Sequence, residues 1–228
     1  MHEKQEIFDF MGGRVRMMRG RYNPTCDAVW LAAFVPGGYK SALDVGIGTG
    51  GVALCMHKHF SQGKITGIDI SPDMLQECLT NSALNEVQFS LLCQDILTWK
   101  TSDTFDVVVS NPPYFKGSPA KHNAHHNVEL RDWTRACLKR VKPHGWFCTI
   151  VDAAQMSGVL AEIADKCGDI CILPLFSINN VAERVLLRGR VGSRGKTTLL
   201  AGLDINAKAI LRDGLTIYEY LAKLSPQC

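Results

Sequence analysis

The sequence of 228 residues contains no apolar run long enough to cross a bilayer, no internal repeat and no low-complexity segment. A membrane partner is therefore not expected. The opening residues, Met1 to Glu6, are polar and acidic and lack the apolar stretch of a secretion signal, so the cytoplasm is the expected compartment. Paired Cys-x-x-Cys units are also missing. The nine cysteines are scattered through mostly apolar stretches, which reads as reduced, buried thiols rather than a disulfide framework or a zinc site. Charge of one sign is scarce as well. A net +3 is compatible with a nucleic-acid partner but is too small to argue for one.

What is present is apolar residues in quantity. At 46% of a chain this short they supply one substantial core, so a single domain over 1–228 is expected, with 1–40 as a leading segment and 41–228 as its core. From about Ser41 short apolar runs alternate with amphipathic stretches, the pattern of a largely parallel sheet covered on both faces. Strands are expected at 42–45, 64–70, 87–93, 105–110, 145–151, 170–176 and 184–191, with a further candidate at 197–203. Helices are expected at 51–60, 72–85 (Ser71 as N-cap, Pro72 in the first turn), 130–140, 154–166 and 214–224. A turn is expected at Pro143-His144-Gly145. The last strands leave little room for a helix between them, so one should run antiparallel. The fold class is thus α/β, a doubly wound, mostly parallel seven-stranded sheet with an antiparallel C-terminal strand.

The first strand ends in Asp44-Val45-Gly46-Ile47-Gly48-Thr49-Gly50-Gly51, a glycine-rich turn entering a helix. Missing side chains there let the backbone approach a nucleotide-like cofactor. Gly46, Gly48 and Gly51 also satisfy the spacing of dinucleotide folds, and Asp69 at the end of the second strand suits a ribose in either case. Asp44 tips the balance toward S-adenosylmethionine. It stands two residues before the first glycine, where a carboxylate faces the cationic methionine amine, a group that a pyrophosphate lacks. Asp95, after the third strand, is placed to contact the adenine.

The fourth strand runs straight into Asn111-Pro112-Pro113-Tyr114, a rigid corner beside the expected cofactor pocket. An exocyclic amine on a ring is a poor nucleophile because its lone pair is delocalised. Two acceptors aimed at its N–H bonds localise that pair, and the Asn111 side-chain carbonyl with the Pro112 backbone carbonyl suit the task. The prolines fix the backbone, and Asn111 before Pro112 is biased to an extended shape, so the acceptors are preorganised. Tyr114 offers a flat face for a flipped-out base. A sulfonium methyl is already a strong electrophile, so no metal is expected.

Asn-Pro-Pro-Tyr after this glycine loop resembles the S-adenosylmethionine-dependent methyltransferases of class I that modify adenine N6, guanine N2 or the glutamine amide. Over nearly the whole chain the sequence is most similar to the bacterial tRNA adenine N6-methyltransferases that act beside the anticodon of a valine tRNA. Gly20 to Ala33 resembles that family's leading motif, which closes over the cofactor. Asp27 matches it, and Thr25 matches loosely, because the usual Gly-Thr-Asp stands here as Pro24-Thr25-Cys26-Asp27. Phe115 after the catalytic motif and Glu183 to Leu187 also resemble family segments. The resemblance implies a Rossmann-like fold, S-adenosylmethionine held by Thr25, Asp27, Asp44, Gly46, Gly48, Gly50, Asp69 and Asp95, and a tRNA substrate. Catalysis would fall to Asn111, Pro112 and Tyr114, with Pro113 and Phe115 against the substrate. Release-factor glutamine methyltransferases share Asn-Pro-Pro-Tyr but carry a longer helical lead, so they stand as the alternative. A non-catalytic RNA-binding protein on the same fold is a second alternative, which the intact Asp44, Asp69 and Asn111 disfavour.

A structured RNA needs cations around the pocket mouth. Arg14, Arg16, Arg19 and Arg21 form one such run, and Arg188, Arg190, Arg194 and Lys196 form another, read as a hairpin tip. His122, His125, His126 and Glu129 lack metal-ligand spacing and are read as a polar loop on the substrate side.

Overall fold

The computed structural model of the chain describes residues 6–20, 22–112, 123–177 and 180–224. It opens with an antiparallel hairpin, β1 (Ile7–Phe10) and β2 (Val15–Met18), turned through Gly12 and Gly13 at φ 63° and 87°. Helix α1 (Cys26–Phe34) follows and is buried from Asp27 to its end. Then come β3 (Ser41–Val45), α2 (Gly51–His59), β4 (Lys64–Asp69), α3 (Pro72–Leu84), β5 (Ser90–Cys93), β6 (Phe105–Ser110), α4 (Asn123–Leu138) and β7 (Val141–Asp152). A single 3₁₀ turn leads into α5 (Met156–Lys166), β8 (Cys167–Phe176) and β9 (Ala182–Val191). Two short strands, β10 (Thr198–Leu199) and β11 (Leu203–Asp204), precede α6 (Lys208–Leu211) and α7 (Ile217–Leu224).

The main sheet has the order β10-β8-β9-β7-β6-β3-β4-β5, with β11 also pairing β8. All strands run one way except β9, which is antiparallel to both β7 and β8. The seven expected strands and the reversed one are therefore present. The single strand expected at 197–203 is instead two short ones, both parallel to β8, which makes nine in all. Alternation along the strands sends side chains to two layers. Ala42, Val107, Val109 and Ile150 pack with α1, α2 and α3, while Leu43, Val45, Val108 and Phe147 pack with α4 and α5. Among the described residues no helix is long and apolar enough to cross a membrane.

Two local expectations fail. The segment read as a polar loop through His125, His126 and Glu129 is helical from Asn123, because the buried stripe Leu130, Thr134, Cys137 and Leu138 recurs at helical spacing and the helix extends back from it. His122 lies outside the described residues. The turn expected at Pro143-His144-Gly145 lies within β7. A register shift between Phe105 and Val107, with His144 at φ 62°, absorbs the irregularity without ending the strand.

Strand β3 has β4 on one side and β6 on the other, so the chain's crossovers diverge there. That divergence leaves a crevice outside the carboxyl ends of β3 and β6, where open α/β sheets bind ligands.

Candidate functional site

The crevice is floored by the glycine loop. Gly46, Gly48 and Gly50 all have positive φ, at 73°, 54° and 92°, so the loop's path excludes side chains at three alternate positions. Gly46 and Ile47 donate backbone hydrogen bonds to the Ile68 carbonyl at 2.8 and 3.1 Å, which ties the loop to the end of β4. Asp69 completes the tie. Its Oδ2 accepts from Gly48 N and its Oδ1 from Ser71 N, both at 2.9 Å. An ionised carboxylate has about four lone-pair sites, so Asp69 retains capacity for two ribose hydroxyls.

Asp44 lies beneath the loop at 1% exposure. Burial pushes its carboxyl up to about 7, against a backbone hydrogen bond from Ala53 that favours the charged form, while the nearby Asp69 adds to the rise. Its Oδ2 is buried with no hydrogen-bond partner among the described residues, and so are Thr49 Oγ1 on the same loop and Asn111 Oδ1 at the end of β6. Buried polar atoms are almost always paired in folded proteins. Three orphans around one crevice mark the places where a polar ligand completes the bonding: a cation at Asp44 and N–H donors at Asn111. The residues thus fit a nucleoside cofactor carrying a protonated amine. Asp95 stands half-buried after β5 and folds back to accept from Leu97 N at 2.9 Å.

The corner at the end of β6 is held from three directions. Ser110, fully buried and immediately before Asn111, donates through Oγ to the Val45 carbonyl at 3.0 Å and accepts from Trp133 Nε1 at 2.9 Å. Its backbone carbonyl accepts from Thr149 Oγ1 at 2.8 Å. Asn111 and the buried Pro112 therefore leave the sheet from a fixed origin. Pro113, Tyr114 and Phe115 lie outside the described residues, as does Arg21.

Thr25 caps α1, its hydroxyl accepting from Asp27 N at 3.4 Å. Asp27, 3% exposed, meets Arg184 Nε at 3.3 Å, and Arg184 Nη1 also reaches Asp152 Oδ2 at 3.3 Å. The first turn of α1 is thereby fastened to the ends of β7 and β9. A second fastening was not legible in the sequence. Asn81 on α3 donates to the Thr49 carbonyl at 3.0 Å and accepts from Met18 N at 2.9 Å, joining the glycine loop to β2. Asn85, one turn on, accepts from Arg16 N at 2.9 Å and donates to its carbonyl at 2.6 Å.

The late arginines are not where the sequence placed them. Strand β8 ends at Phe176 and β9 runs from Ala182 to Val191, so Arg188 and Arg190 belong to the strand and Arg194 to the stretch after it. Arg184 pairs with Asp152 at the carboxyl end of β7, but Arg190 pairs with Trp146 in its middle, level with Val107 of β6. Val107 stands four residues before Asn111, so at about 3.4 Å per residue Arg190 lies about 14 Å down the sheet from Asn111. Arg188 is buried. Its guanidinium lies 4.8, 5.3 and 4.7 Å from the rings of Phe34, Trp146 and Tyr218, and Nη1 donates to the Phe34 carbonyl at 3.2 Å. A cation enclosed by three aromatic faces is a packing element and offers no surface to a phosphate. Arg190 donates to the His144 carbonyl at 3.0 Å. Arg14, Arg16 and Arg19 are exposed on the hairpin, with Arg19 paired to Glu6 at 2.9 Å. Among the described residues no cluster of His, Cys, Asp and Glu has metal-binding geometry.

Comparison with known proteins agrees with this arrangement. A family described as "Methyltransferase domain" matches residues 42–145. A Phocaeicola vulgatus protein named tRNA1(Val) (adenine(37)-N6)-methyltransferase is 31% identical over 187 residues, covering 78% of this chain and 74% of that protein. A protein of the same name from Glaesserella parasuis is 28% identical over 133 residues, with 52% and 54% covered. A release factor glutamine methyltransferase of Koribacter versatilis is 42% identical over 73 residues, but these take in 32% of this chain and 26% of that protein. The chain thus spans about half or less of some curated relatives it matches. Among solved structures, a predicted O-methyltransferase of Agrobacterium tumefaciens superposes with a TM-score of 0.65 at 20% identity, over 79% of this chain and 88% of that one.

Proposed function

We propose that this chain, which belongs to the class I S-adenosylmethionine-dependent methyltransferase family whose members include the proteins named tRNA1(Val) (adenine(37)-N6)-methyltransferase, methylates the N6 amino group of an adenine in tRNA. The observation that carries the reading is Asn111 Oδ1, a buried acceptor without a donor among the described residues, fixed at the end of β6 beside the glycine loop. An adenine amine supplies the missing donor.

Asp44, Thr49, the glycine loop and Asp69 would hold S-adenosylmethionine. This cofactor brings a methyl group on a cationic sulfur. The chain's own work is orientation. Asn111 Oδ1 and the Pro112 carbonyl accept the two amine N–H bonds, turning the nitrogen lone pair out of conjugation and toward the methyl carbon. As the new N–C bond forms, the carbon–sulfur bond would break with its electron pair left on sulfur as the neutral thioether S-adenosylhomocysteine, and one N–H proton is lost through that acceptor corner to solvent. In this reading Tyr114 stacks on the extruded base, Pro113 and Phe115 line its pocket, and the exposed Arg14, Arg16 and Arg19 meet phosphates. The reaction belongs in the cytoplasm, with tRNA.

A glutamine amide also presents two N–H bonds, and the local similarity to the Koribacter protein falls on release-factor enzymes. The test offers both substrates. Methyl-labelled S-adenosylmethionine is incubated with unmodified bulk tRNA or with release factor, and the labelled product is identified. We expect N6-methyladenosine, reduced about 100-fold or more by Asn111→Ala while S-adenosylhomocysteine still binds. Label in release-factor glutamine would reassign the substrate, and label independent of Asn111 would end the proposed role of the corner.

A further inference from the structure

The two halves of the site, glycine loop and acceptor corner, are touched by one side chain that belongs to neither. The six-membered edge of the Trp133 ring lies over the glycine loop: a Cβ placed on Gly46 would meet its Cζ2 and Cη2 at 3.4 and 3.6 Å, ordinary contact distance. The N–H, next to Cζ2 on the same long edge of the indole, donates to Ser110 Oγ at 2.9 Å. Ser110 Oγ passes its own hydrogen to the Val45 carbonyl at 3.0 Å, one residue before Gly46. Ring, hydroxyl and carbonyl thus close a circuit whose corners are Trp133, Ser110 and the Val45–Gly46 turn.

The geometry points to Trp133 as a positioning residue that sets the distance between the cofactor loop and the Asn111–Pro112 acceptors. Three observations make the circuit stiff. Ser110 is fully buried, so no water replaces the indole donor when it is lost. Thr149 Oγ1 fixes the Ser110 backbone carbonyl at 2.8 Å, so the residue is held at both its side chain and its main chain. Helix α4 is clamped on both sides of Trp133. Arg131 Nε and Arg135 Nε bond the two oxygens of the buried Glu162 on α5 at 2.7 and 2.6 Å. The indole is therefore presented by a pinned helix.

Methyl transfer needs donor carbon and acceptor nitrogen in line, and displacement of about 1 Å costs on the order of 100-fold in rate. The loop sets one of these atoms and Asn111 sets the other. Their separation depends on the β3–β6 pairing and on this circuit. Trp133 touches neither the amine nor the sulfur, so its effect should fall on turnover and not on binding. The inference rests on the reading of Asn111 and Pro112 as the acceptor corner.

The experiment compares Trp133→Phe, which keeps an aromatic side chain and deletes the N–H, with Ser110→Ala and the double variant. Methyl transfer is measured to tRNA and to release factor, and S-adenosylhomocysteine affinity by calorimetry. We expect each single variant to lower kcat roughly tenfold with KM and cofactor affinity within about twofold, and the double variant to be no worse than the Ser110→Ala variant alone, since each variant breaks the same circuit. A kcat within about twofold of the parent, multiplying effects, or a matching fall in cofactor affinity would overturn the proposal. A second measurement needs no substrate. The Trp133 indole proton, assigned in a nitrogen-15 spectrum by its absence from Trp133→Phe, should exchange slowly in the parent protein and rapidly in Ser110→Ala. Fast exchange in both would dispose of the circuit even if tRNA is methylated as proposed. Slow exchange with no label in either macromolecule would leave the circuit standing and remove the substrate reading.

Discussion

Arg184 Nε lies 3.3 Å from Asp27 Oδ2, joining two residues 157 positions apart and fixing the start of α1 against the end of the sheet. Asp27 is almost wholly buried, whereas Arg184 keeps about a quarter of its side chain in solvent. The carboxylate therefore depends on the guanidinium far more than the reverse.

Replacing Arg184 by Met should leave a buried carboxylate short of its counter-charge and lower stability by about 3 kcal/mol. For a chain of this size that is a fall in Tm of roughly 6–12 °C. Thermal unfolding of Arg184→Met, Asp27→Asn and the pair together checks it. The double variant should recover part of the loss, and simple additivity would mean that the pairing is not its source.

Asp44 gives a pH dependence whose sign follows from burial. Its folded pKa is raised from 3.8 to about 7, so the unliganded protein holds this proton more tightly than the unfolded chain does. Its contribution to stability is complete below pH about 4 and is lost as the pH rises through about 7. A bound amine needs the carboxylate, so the affinity for S-adenosylhomocysteine should rise with pH by up to about tenfold per unit below 7 and then level. Calorimetry across that range checks the slope. Asp44→Asn should bind weakly with no slope, and a parent protein with flat affinity would show that Asp44 does not face the amine.

Gly51 sits under the Pro24 ring. A methyl group there would stand 2.8 Å from Pro24 Cβ and 2.9 Å from Cγ, and a proline ring cannot swing away. Gly51→Ala should displace the turn before Thr25 and weaken cofactor binding about tenfold, in line with the 1–3 kcal/mol typical of overpacking. Unaltered affinity by calorimetry would mean that the turn does not bear on the cofactor.

The double variant Arg190→Ala, Arg194→Ala should bind tRNA within about twofold of the parent and with the same salt slope, because Arg190 lies near the far end of β9 and Arg194 just beyond it. Arg14→Ala with Arg16→Ala should weaken binding and flatten the slope. Filter binding across a salt series separates the two, and the opposite ranking would move the RNA to the other end of the sheet.

Residues whose chemistry is local were legible in the sequence. Gly46, Gly48 and Gly50 declare a turn with positive φ, and Asn111-Pro112 declares a rigid acceptor corner, because each signal spans a few adjacent positions. Arg188 was misread because its cage is drawn from Phe34, Trp146 and Tyr218, which only the fold assembles. A run of spaced arginines looks the same whether its members face solvent or aromatic rings.

The β1–β2 hairpin escaped for a related reason. It is only four residues a side, and the outer edge of β2 is satisfied by the side chains of Asn81 and Asn85, which stand in for a third strand. Trp133 shows the same limit within the site. Its helical spacing is that of any core residue, and nothing in the sequence says that its N–H meets the residue before Asn111. The alternation of strands and helices and the one reversed strand, by contrast, follow from run lengths and short connections and were legible.

Strand β9 enters between β7 and β8, not at an edge, and it carries Arg184 in with it. During synthesis the glycine loop, Asp69 and Asn111 leave the ribosome well before that strand does. Until residues 182–191 are available the sheet has a gap beside β7, and Asp27 is without the guanidinium that secures α1. The late strand therefore acts as a completeness check, coupling the fastening of α1 to the arrival of residues 182–191, so that a product truncated before them retains the loop but not this fastening.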